Sequence, residues 1–284
     1  MQRPIGIFDS GLGGLTVVRA IRRRLPAESI VYFGDTARVP YGIKSGQTIA
    51  RFAAEDVEFL RRYDPKFIIA ACNTASAAAI PTLRERFPMP IAGVIEPGAR
   101  AAVRAARGRP IGVIATEATI YSGAYGCAIR RHLPAAWIVE KACPLLVPLV
   151  EEGRPVRDPV VRAVLQEYLG PMRDAGVGSV VLGCTHYPLL KEAIAEVLGP
   201  EVALVDSADA VADEVAGLLA DEHLLAAAGG GPGALRFYVS DNPERFAQVG
   251  RRFLGEEIGE VSYVSPEEFF AAPGEARIEA EEKS

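Results

Sequence analysis

The chain has 284 residues, a length sufficient for one large domain or two of ordinary size. Of these residues, 49% are hydrophobic and 24% are charged. A net charge of -5 is unlike the basic surface of a nucleic-acid-binding protein. There is no long charge-free apolar stretch and the first apolar run is too short for a signal peptide, so we expect a cytoplasmic protein that does not contact a membrane.

Short runs rich in Val and Ile alternate along the chain with amphipathic segments, as is typical of parallel βαβ units and an α/β fold. Ligands of such folds bind at the carboxyl ends of the strands. The acid-rich tail from Gly274 is expected to be frayed surface. The predicted strands are Ile5–Phe8, Ile30–Phe33, Phe67–Ala70, Ile91–Val94, Ile111–Ala115, Ser179–Leu182, Ala203–Val205 and Leu235–Ser240, and the predicted helices include Gly46–Arg62, Pro159–Ala175 and Pro243–Leu254.

Four landmarks recur in order at a spacing of about 110 residues, which indicates an internal duplication. Since the strand and helix after residue 234 lie beyond the second repeat, we expect them to return to the first half. The predicted domains are therefore residues 1–98 plus 208–284, and residues 99–207. The matched landmarks are Ile5-Gly6-Ile7 with Ile111-Gly112-Val113, Val39-Pro40 with Val147-Pro148, Cys72 with Cys184, and Ile95-Glu96 with Val205-Asp206.

Two of the four cysteines stand where chemistry is expected. Cys72 and Cys184 each follow a predicted buried strand and precede a predicted helix, whose amino end favours thiolate over thiol. A single such cysteine would be explained as a small buried hydrophobic residue. A pair related by duplication suggests two thiols that face each other across a cleft, whereas Cys127 and Cys143 have no such context.

Two opposed thiols suit the inversion of a stereocentre by proton transfer. That reaction needs a base on one face of the carbon and an acid on the other, and a thiolate and a thiol can supply them. Asp9, Glu151 and His186 are candidate assistants because Asp9 ends a predicted strand, Glu151 follows the Val147-Pro148 landmark and His186 lies two residues after Cys184. Each also has a structural explanation: a helix cap for Asp9, a solvated loop acid for Glu151, and a packing or capping side chain for His186.

The sequence predicts neither a cofactor nor a metal. The glycines after Asp9 only partly match a dinucleotide fingerprint, because Thr16 stands at its third position and no acidic residue ends the next strand. No lysine lies in a recognisable Schiff-base motif, and there is no CxxC pair for a structural zinc site.

Taken together, several stretches closely resemble the cofactor-independent aspartate/glutamate racemase family, in particular its glutamate racemases. They run in family order from residue 7 to residue 207, and the C-terminal quarter is matched more loosely. The stretches are Ile7–Gly14, Gly34–Gly42, Ala71–Ala77, Gly93–Ala99, Leu182–Leu189 and Val205–Ser207.

The resemblance implies an isomerase with two pseudo-symmetric flavodoxin-like domains and glutamate bound between them. Cys72 and Cys184 would be the acid–base thiols, with Asp9 assisting near Cys72, and Glu151 and His186 near Cys184. The family supplies D-glutamate for peptidoglycan, usually as a homodimer, and so serves cell-wall biogenesis and cell shape. The implied substrate-binding residues are Asp9, Ser10, Tyr41, Gly42, Asn73, Thr74, Thr116, Thr119, Thr185 and His186.

The sequence departs from the family where Ala115 and Ala118 stand in place of the usual glycines, and we expect their methyl groups to narrow the site. Three alternatives remain open. An aspartate racemase would share both cysteines, and a non-catalytic module would bind glutamate without exchanging its α-hydrogen. A zinc hydrolase would use Cys184 and His186 as ligands.

Overall fold

The structure is a computed structural model that describes residues 3–227 and 231–270. The predicted acid-rich tail lies outside the described residues. Within them the chain forms two parallel β-sheets with helices on their faces, so the predicted α/β class is confirmed. No helix in this part of the chain is long and apolar enough to cross a bilayer.

The larger sheet has six strands in the described residues, in the order β10-β9-β2-β1-β3-β4, all parallel. Its central strands β1, β2 and β3 are buried on both faces, as expected where helices cover a parallel sheet. The strands are β1 (Ile5–Asp9), β2 (Ile30–Gly34), β3 (Phe67–Ala70), β4 (Ile91–Gly93), β9 (Leu235–Val239) and β10 (Val261–Tyr263).

The smaller sheet has four strands in the described residues, in the order β6-β5-β7-β8, again all parallel. They are β5 (Ile111–Ala115), β6 (Ile138–Ala142), β7 (Ser179–Gly183) and β8 (Ala203–Asp206). The order β2-β1-β3-β4 in the larger sheet is therefore repeated as β6-β5-β7-β8 in the smaller one, as a duplication of one βα unit requires.

Helices connect the strands on both faces of each sheet, and three short 3₁₀ helices (Thr36–Arg38, Tyr41–Ile43 and Tyr187–Leu190) lie in the loops. The α-helices are α1 (Leu15–Arg24), α2 (Gly46–Arg61), α3 (Asn73–Arg86), α4 (Ile95–Ala106), α5 (Glu117–Tyr121), α6 (Ala124–His132), α7 (Leu146–Glu151), α8 (Pro159–Asp174), α9 (Lys191–Leu198), α10 (Ser207–Asp221), α11 (Pro243–Leu254) and α12 (Pro266–Phe270).

One landmark of the repeat is shifted in space. Asp206 ends β8 and pairs with Leu182, whereas Glu96 lies in the first turn of α4, where it contacts Arg131 and His132. The residue that occupies the position of Asp206 in the larger sheet is Gly93, the last residue of β4. The sequence match of Glu96 with Asp206 was therefore wrong by about one helical turn.

The C-terminal segment joins the larger sheet. β9 pairs with β2 in the register Ile30↔Leu235, and β10 pairs with β9. α10 lies between the halves, because it packs against both α1 and α4. The strand pairing is what a discontinuous first domain would require, and the boundaries 1–98 plus 208–284 and 99–207 remain a proposal.

Candidate active site

A cavity of about 360 Å³ lies at the carboxyl ends of both sheets. Residues that follow β1, β2 and β3 line it from the larger sheet, and residues that follow β5, β6 and β7 line it from the smaller one. The lining contains most of the predicted site residues: Ser10, Tyr41, Gly42, Cys72, Asn73, Thr74, Thr116, Glu151, Cys184, Thr185 and His186. Asp9 and Thr119 lie behind it, and Ala115 and Ala118, expected to narrow it, are outside the lining.

Cys72 is the N-cap residue of α3, and only Ala71 separates it from the end of β3. It is 6% exposed, and its Sγ lies 3.6 Å from the Ser10 hydroxyl oxygen. Burial and the nearby charge of Asp9 raise the pKa of the Cys72 thiol to about 12, against the smaller opposite effects of the Ala75 N–H and Ser10. The expectation that the helix end makes Cys72 a thiolate is therefore wrong for the protein alone, because desolvation outweighs the helix dipole.

Cys184 begins a chain of three acid–base groups. Its Sγ lies 3.9 Å from Nδ1 of His186, and Nε2 of His186 lies 3.1 Å from Oε1 of Glu151. Burial lowers the pKa of His186, but its contacts with Cys184 and Glu151 outweigh burial and raise it to about 10. The contact with His186 also lowers the pKa of Glu151. A protonated imidazole next to the sulfur, held in place by a carboxylate, is an arrangement that stabilises a thiolate.

Helix α11 of the C-terminal segment supports this chain. Arg252 donates to the backbone oxygens of Val150 and Glu151 at 3.1 and 2.7 Å, and so binds the carboxyl end of α7. Arg245 lies 3.4 Å from the Glu151 carboxylate, and the ring of Phe253 packs edge-on against His186. The loosely matched C-terminal quarter thus supports the site, although no motif in that part of the sequence predicts this role.

Asp9 is 1% exposed and does not cap α1, whose N-cap residue is Gly14. Its Oδ2 accepts from the N–H of Gly11 at 3.0 Å, while its buried Oδ1 has no hydrogen-bond partner among the described residues. Burial raises the pKa of Asp9, and the charge of His186 opposes that rise. Asp9 acts electrostatically on Cys72, so the structure places a buried carboxyl group beside that thiol and not at a helix end.

Three threonine hydroxyls form a triangle between the two halves. Oγ1 of Thr74 lies 3.0 Å from that of Thr116 and 3.1 Å from that of Thr119, and the latter two are 3.0 Å apart. Thr74 belongs to α3, and Thr116 is the N-cap of α5. Asn73 is held separately, because its side-chain oxygen accepts from the Tyr125 hydroxyl at 2.6 Å.

Two predicted binding residues, Tyr41 and Gly42, sit in the loop between β2 and α2. The Tyr41 hydroxyl hydrogen-bonds to the carboxylates of Asp35 and Asp56, behind the cavity wall. Tyr41 therefore belongs to the cavity lining, while its hydroxyl is bound by these two carboxylates. The acidic partners were missed in the sequence, although Asp35 stands inside the matched stretch Gly34–Gly42.

Two glycines allow the halves to meet. A Cβ at Gly13 would lie 2.2 Å from Oγ1 of Thr185 and 2.6 Å from the His186 ring, and a Cβ at Gly42 would lie 2.9 Å from Thr116. These contacts are shorter than any side chain tolerates, so glycine is required for the close approach of the two halves. In residues 3–227 and 231–270, no group of three or more His, Cys, Asp or Glu side chains is arranged to hold a metal ion.

A profile of the Asp/Glu/Hydantoin racemase family matches residues 5–215. The chain is 52% identical to a glutamate racemase of Syntrophus aciditrophicus over 261 residues, covering 92% of this chain and 96% of the relative.

Two solved structures share its fold over almost their whole length. A glutamate racemase from Francisella tularensis in complex with D-glutamate superposes with a TM-score of 0.86 at 42% identity, covering 93% of this chain and 98% of that one. A glutamate racemase from Thermus thermophilus in complex with beta-chloro-D-alanine superposes with a TM-score of 0.84 at 49% identity, covering 94% of this chain and 98% of that one. By profile, sequence and structure, the chain belongs to the Asp/Glu/Hydantoin racemase family.

Proposed function

We propose that this protein is a glutamate racemase that interconverts L- and D-glutamate by proton transfer at the α-carbon, with Cys72 and Cys184 as its two acid–base groups. One observation carries the proposal. Cys72 and Cys184 follow corresponding strands, β3 and β7, of two sheets with the same strand order, and both line one cavity. Inversion at a carbon needs one proton donor and one acceptor, and two thiols from duplicated halves supply that pair.

On the Cys72 side, the thiol removes the α-proton of D-glutamate. The raised pKa of Cys72 opposes this in the protein alone, but a substrate ammonium bound near Asp9 would lower it, since a nearby cation favours the thiolate. Asp9, with its unpartnered buried oxygen, is suited to meet that ammonium group. The thiolate would then form only when substrate is bound.

On the Cys184 side, the thiol removes the α-proton of L-glutamate. His186 lies within reach of its sulfur, and Glu151 orients the ring from the other nitrogen. Because its raised pKa keeps His186 protonated, the imidazolium stabilises Cys184 as the thiolate, the form that accepts the α-proton. The two thiols exchange the roles of acid and base according to which enantiomer is bound.

The choice of glutamate draws on the relatives, which carry that activity in their names at about 50% identity. The polar lining, from Ser10 and Thr185 to the threonine triangle, offers hydroxyls and N–H groups for a zwitterion. We further propose a cofactor-independent enzyme and a cytoplasmic homodimer that supplies D-glutamate for peptidoglycan. Sedimentation of the purified protein tests the dimer.

The decisive experiment is turnover of D-glutamate in heavy water by protein treated with chelator and freed of pyridoxal compounds. We expect L-glutamate carrying one deuterium at the α-carbon, because the proton returns from a thiol that has exchanged with solvent. Binding without exchange would identify a non-catalytic module, and activity restored only by added metal or pyridoxal phosphate would refute the two-thiol mechanism. Aspartate in a parallel assay distinguishes the related aspartate racemases.

A further inference from the structure

We infer that Asp56 and Arg38 are positioning residues that fix the cavity wall formed by residues 39–43 and thereby set the affinity for substrate. This inference rests on the proposed function. It concerns residues that touch neither thiol and that lie one layer behind the cavity.

The wall is a loop with little regular structure. All of residues 39–43 line the cavity. One short 3₁₀ helix, Tyr41–Ile43, lies within it and another, Thr36–Arg38, directly precedes it. Each is closed by a backbone hydrogen bond, from the Arg38 N–H to Asp35 and from the Lys44 N–H to Tyr41. Such turns do not fix the loop relative to the rest of the protein, so its position depends on side-chain anchors.

The anchors meet in one buried network, which we call the Arg38 network: Asp35, Arg38, Tyr41, Glu55 and Asp56. Arg38 donates from Nε to Asp35 at 2.6 Å, from Nη2 to Asp56 at 2.9 Å, and from Nη1 to Glu55. The Tyr41 hydroxyl donates to Asp35 and lies 3.2 Å from Oδ2 of Asp56. The network therefore links the loop to α2, which carries Glu55 and Asp56.

Because Asp35 and Asp56 are buried, their hydrogen bonds in this network cannot be replaced by bonds to water. Asp35 and Asp56 are 0% exposed, and Tyr41 is 1% exposed. Burial raises the pKa of Asp56 well above its usual range, and the charge of Asp35 raises it further while Arg38 lowers it. A buried carboxyl group that loses its hydrogen-bond partner is costly whether or not it is charged, so the loop is held in the one place that satisfies these groups.

The position of the wall decides the width of the cavity. On its far side, Gly42 packs so closely on Thr116, which directly follows β5 of the smaller sheet, that a Cβ would lie 2.9 Å away. Loosening the Arg38 network would let residues 41–43 move relative to Thr116. Since the wall contacts the substrate equally before and during proton transfer, such movement changes KM and leaves kcat almost intact.

The test is Asp56→Asn, with Glu58→Gln as the matched control. Glu58 lies on the same helix, but it pairs with Arg61 at the surface. For Asp56→Asn we expect KM to rise about tenfold for both enantiomers, with kcat changed less than about twofold. For Glu58→Gln we expect wild-type values. A fall in kcat at unchanged KM, or identical kinetics of the two variants, would overturn the inference.

A second variant separates positioning from direct contact. Tyr41→Phe keeps the ring in the cavity wall and removes the hydroxyl from the network. If Tyr41 acts through the network, the double variant Tyr41→Phe/Asp56→Asn has a KM no higher than that of the single variant with the higher KM. If the hydroxyl contacted the substrate, the two effects would multiply, and the assignment of Asp56 as positioning Tyr41 would be wrong.

Hydrogen exchange provides a readout that does not depend on activity. Asp56→Asn should speed amide exchange in residues 36–44 without affecting the buried strands, and Glu58→Gln should not. Unchanged exchange in that loop would refute the positioning role. An inactive wild-type protein would instead refute the proposed function, while the exchange result would still decide the role of the network.

Discussion

The two thiols have different chemical partners. Cys184 lies next to His186, which a carboxylate holds from behind, whereas Cys72 has the Ser10 hydroxyl and the buried carboxyl group of Asp9. Duplication therefore produced equivalent positions for the sulfur atoms and different means of moving their protons. Each side should respond in its own way to substitution.

Cys72→Ala and Cys184→Ala should each abolish racemisation in both directions, because one face of the α-carbon then lacks its proton carrier. We expect losses of at least ~10²–10⁴-fold. The measurement is optical rotation or circular dichroism of glutamate over time. Cys127→Ala is the control, because Cys127 is exposed on α6 and should leave activity unchanged. Near-normal turnover by either active-site variant would contradict the mechanism.

The raised pKa of His186 should make stability depend on pH. Between pH 6.5 and about 10, folded His186 keeps a proton that the unfolded chain has released, so the free energy of unfolding falls as pH rises through this window. His186→Asn should remove that decline, as measured by urea unfolding at several pH values. A decline above pH 9.0 should remain in both proteins, since the folded pKa of Cys72 is also raised. Equal slopes across the whole window would show that His186 is not protonated in the folded state.

The sequence was sufficient to bring together the residues proposed to carry the reaction and insufficient for those that hold them. Cys72, Cys184 and His186 follow strands in recognisable motifs, so their convergence could be predicted from topology. The direction of the Tyr41 hydroxyl could not be predicted, because it depends on Asp56. Asp56 lies on α2 in an ordinary amphipathic pattern. The shift of the Cys72 pKa was predicted with the wrong sign, because a helix terminus is visible in sequence and the depth of burial is not.

At the scale of elements, the predicted strands include all those buried along their whole length, and also β8 and β9, which are partly exposed. β6 and β10 were missed. β6 contains Glu140 and Lys141 and is only half-buried at the edge of its sheet, and β10 is a three-residue edge strand. These two strands lack the continuous apolar run that identifies most strands of a parallel sheet, so sequence patterns do not separate them from loops.

Helix α11 should influence catalysis through α7. Arg252→Gln removes the donors to the end of α7, and we expect kcat to fall several-fold, up to about tenfold, because Glu151 then holds His186 less well. Arg251→Gln is the matched control, since Arg251 pairs with Glu257. In a His186→Asn background the effect of Arg252→Gln should vanish. An equal loss in both backgrounds would indicate a general structural role.

The loop between β1 and α1 should tolerate no side chain at Gly13. Gly13→Ala places a methyl group against Thr185 and His186, and a displacement of about 1 Å at the reacting groups can cost about 10²-fold in rate. We expect kcat to fall while circular dichroism shows a folded protein. Gly46→Ala is the control, because a Cβ there meets no atom within 4 Å. Wild-type activity of Gly13→Ala would mean that the two halves separate more readily than their contacts suggest.

At the scale of the whole molecule, one cavity is bounded by both sheets, so a ligand should stabilise the two halves together. At a glutamate concentration 100 times Kd, we expect the free energy of unfolding to rise by about 2.7 kcal/mol. Thermal unfolding with increasing glutamate measures this, and Cys184→Ala should show a comparable rise, because binding does not require proton transfer. L-alanine, which lacks the side-chain carboxylate, should have a smaller effect. A melting temperature independent of glutamate would show that the folded protein does not bind it.

The pairing of β9 with β2 has a consequence for biosynthesis. A ribosome completes all four strands of the smaller sheet by residue 206, while the larger sheet still lacks β9 and β10, which begin at residues 235 and 261. During that interval β2, later an interior strand, presents an unpaired edge of backbone N–H and C=O groups. The nascent chain is thus most prone to aggregation after β8 is complete and before β9 is made. When β9 pairs with β2 it covers that edge, and α11, which follows β9, can then bind the end of α7.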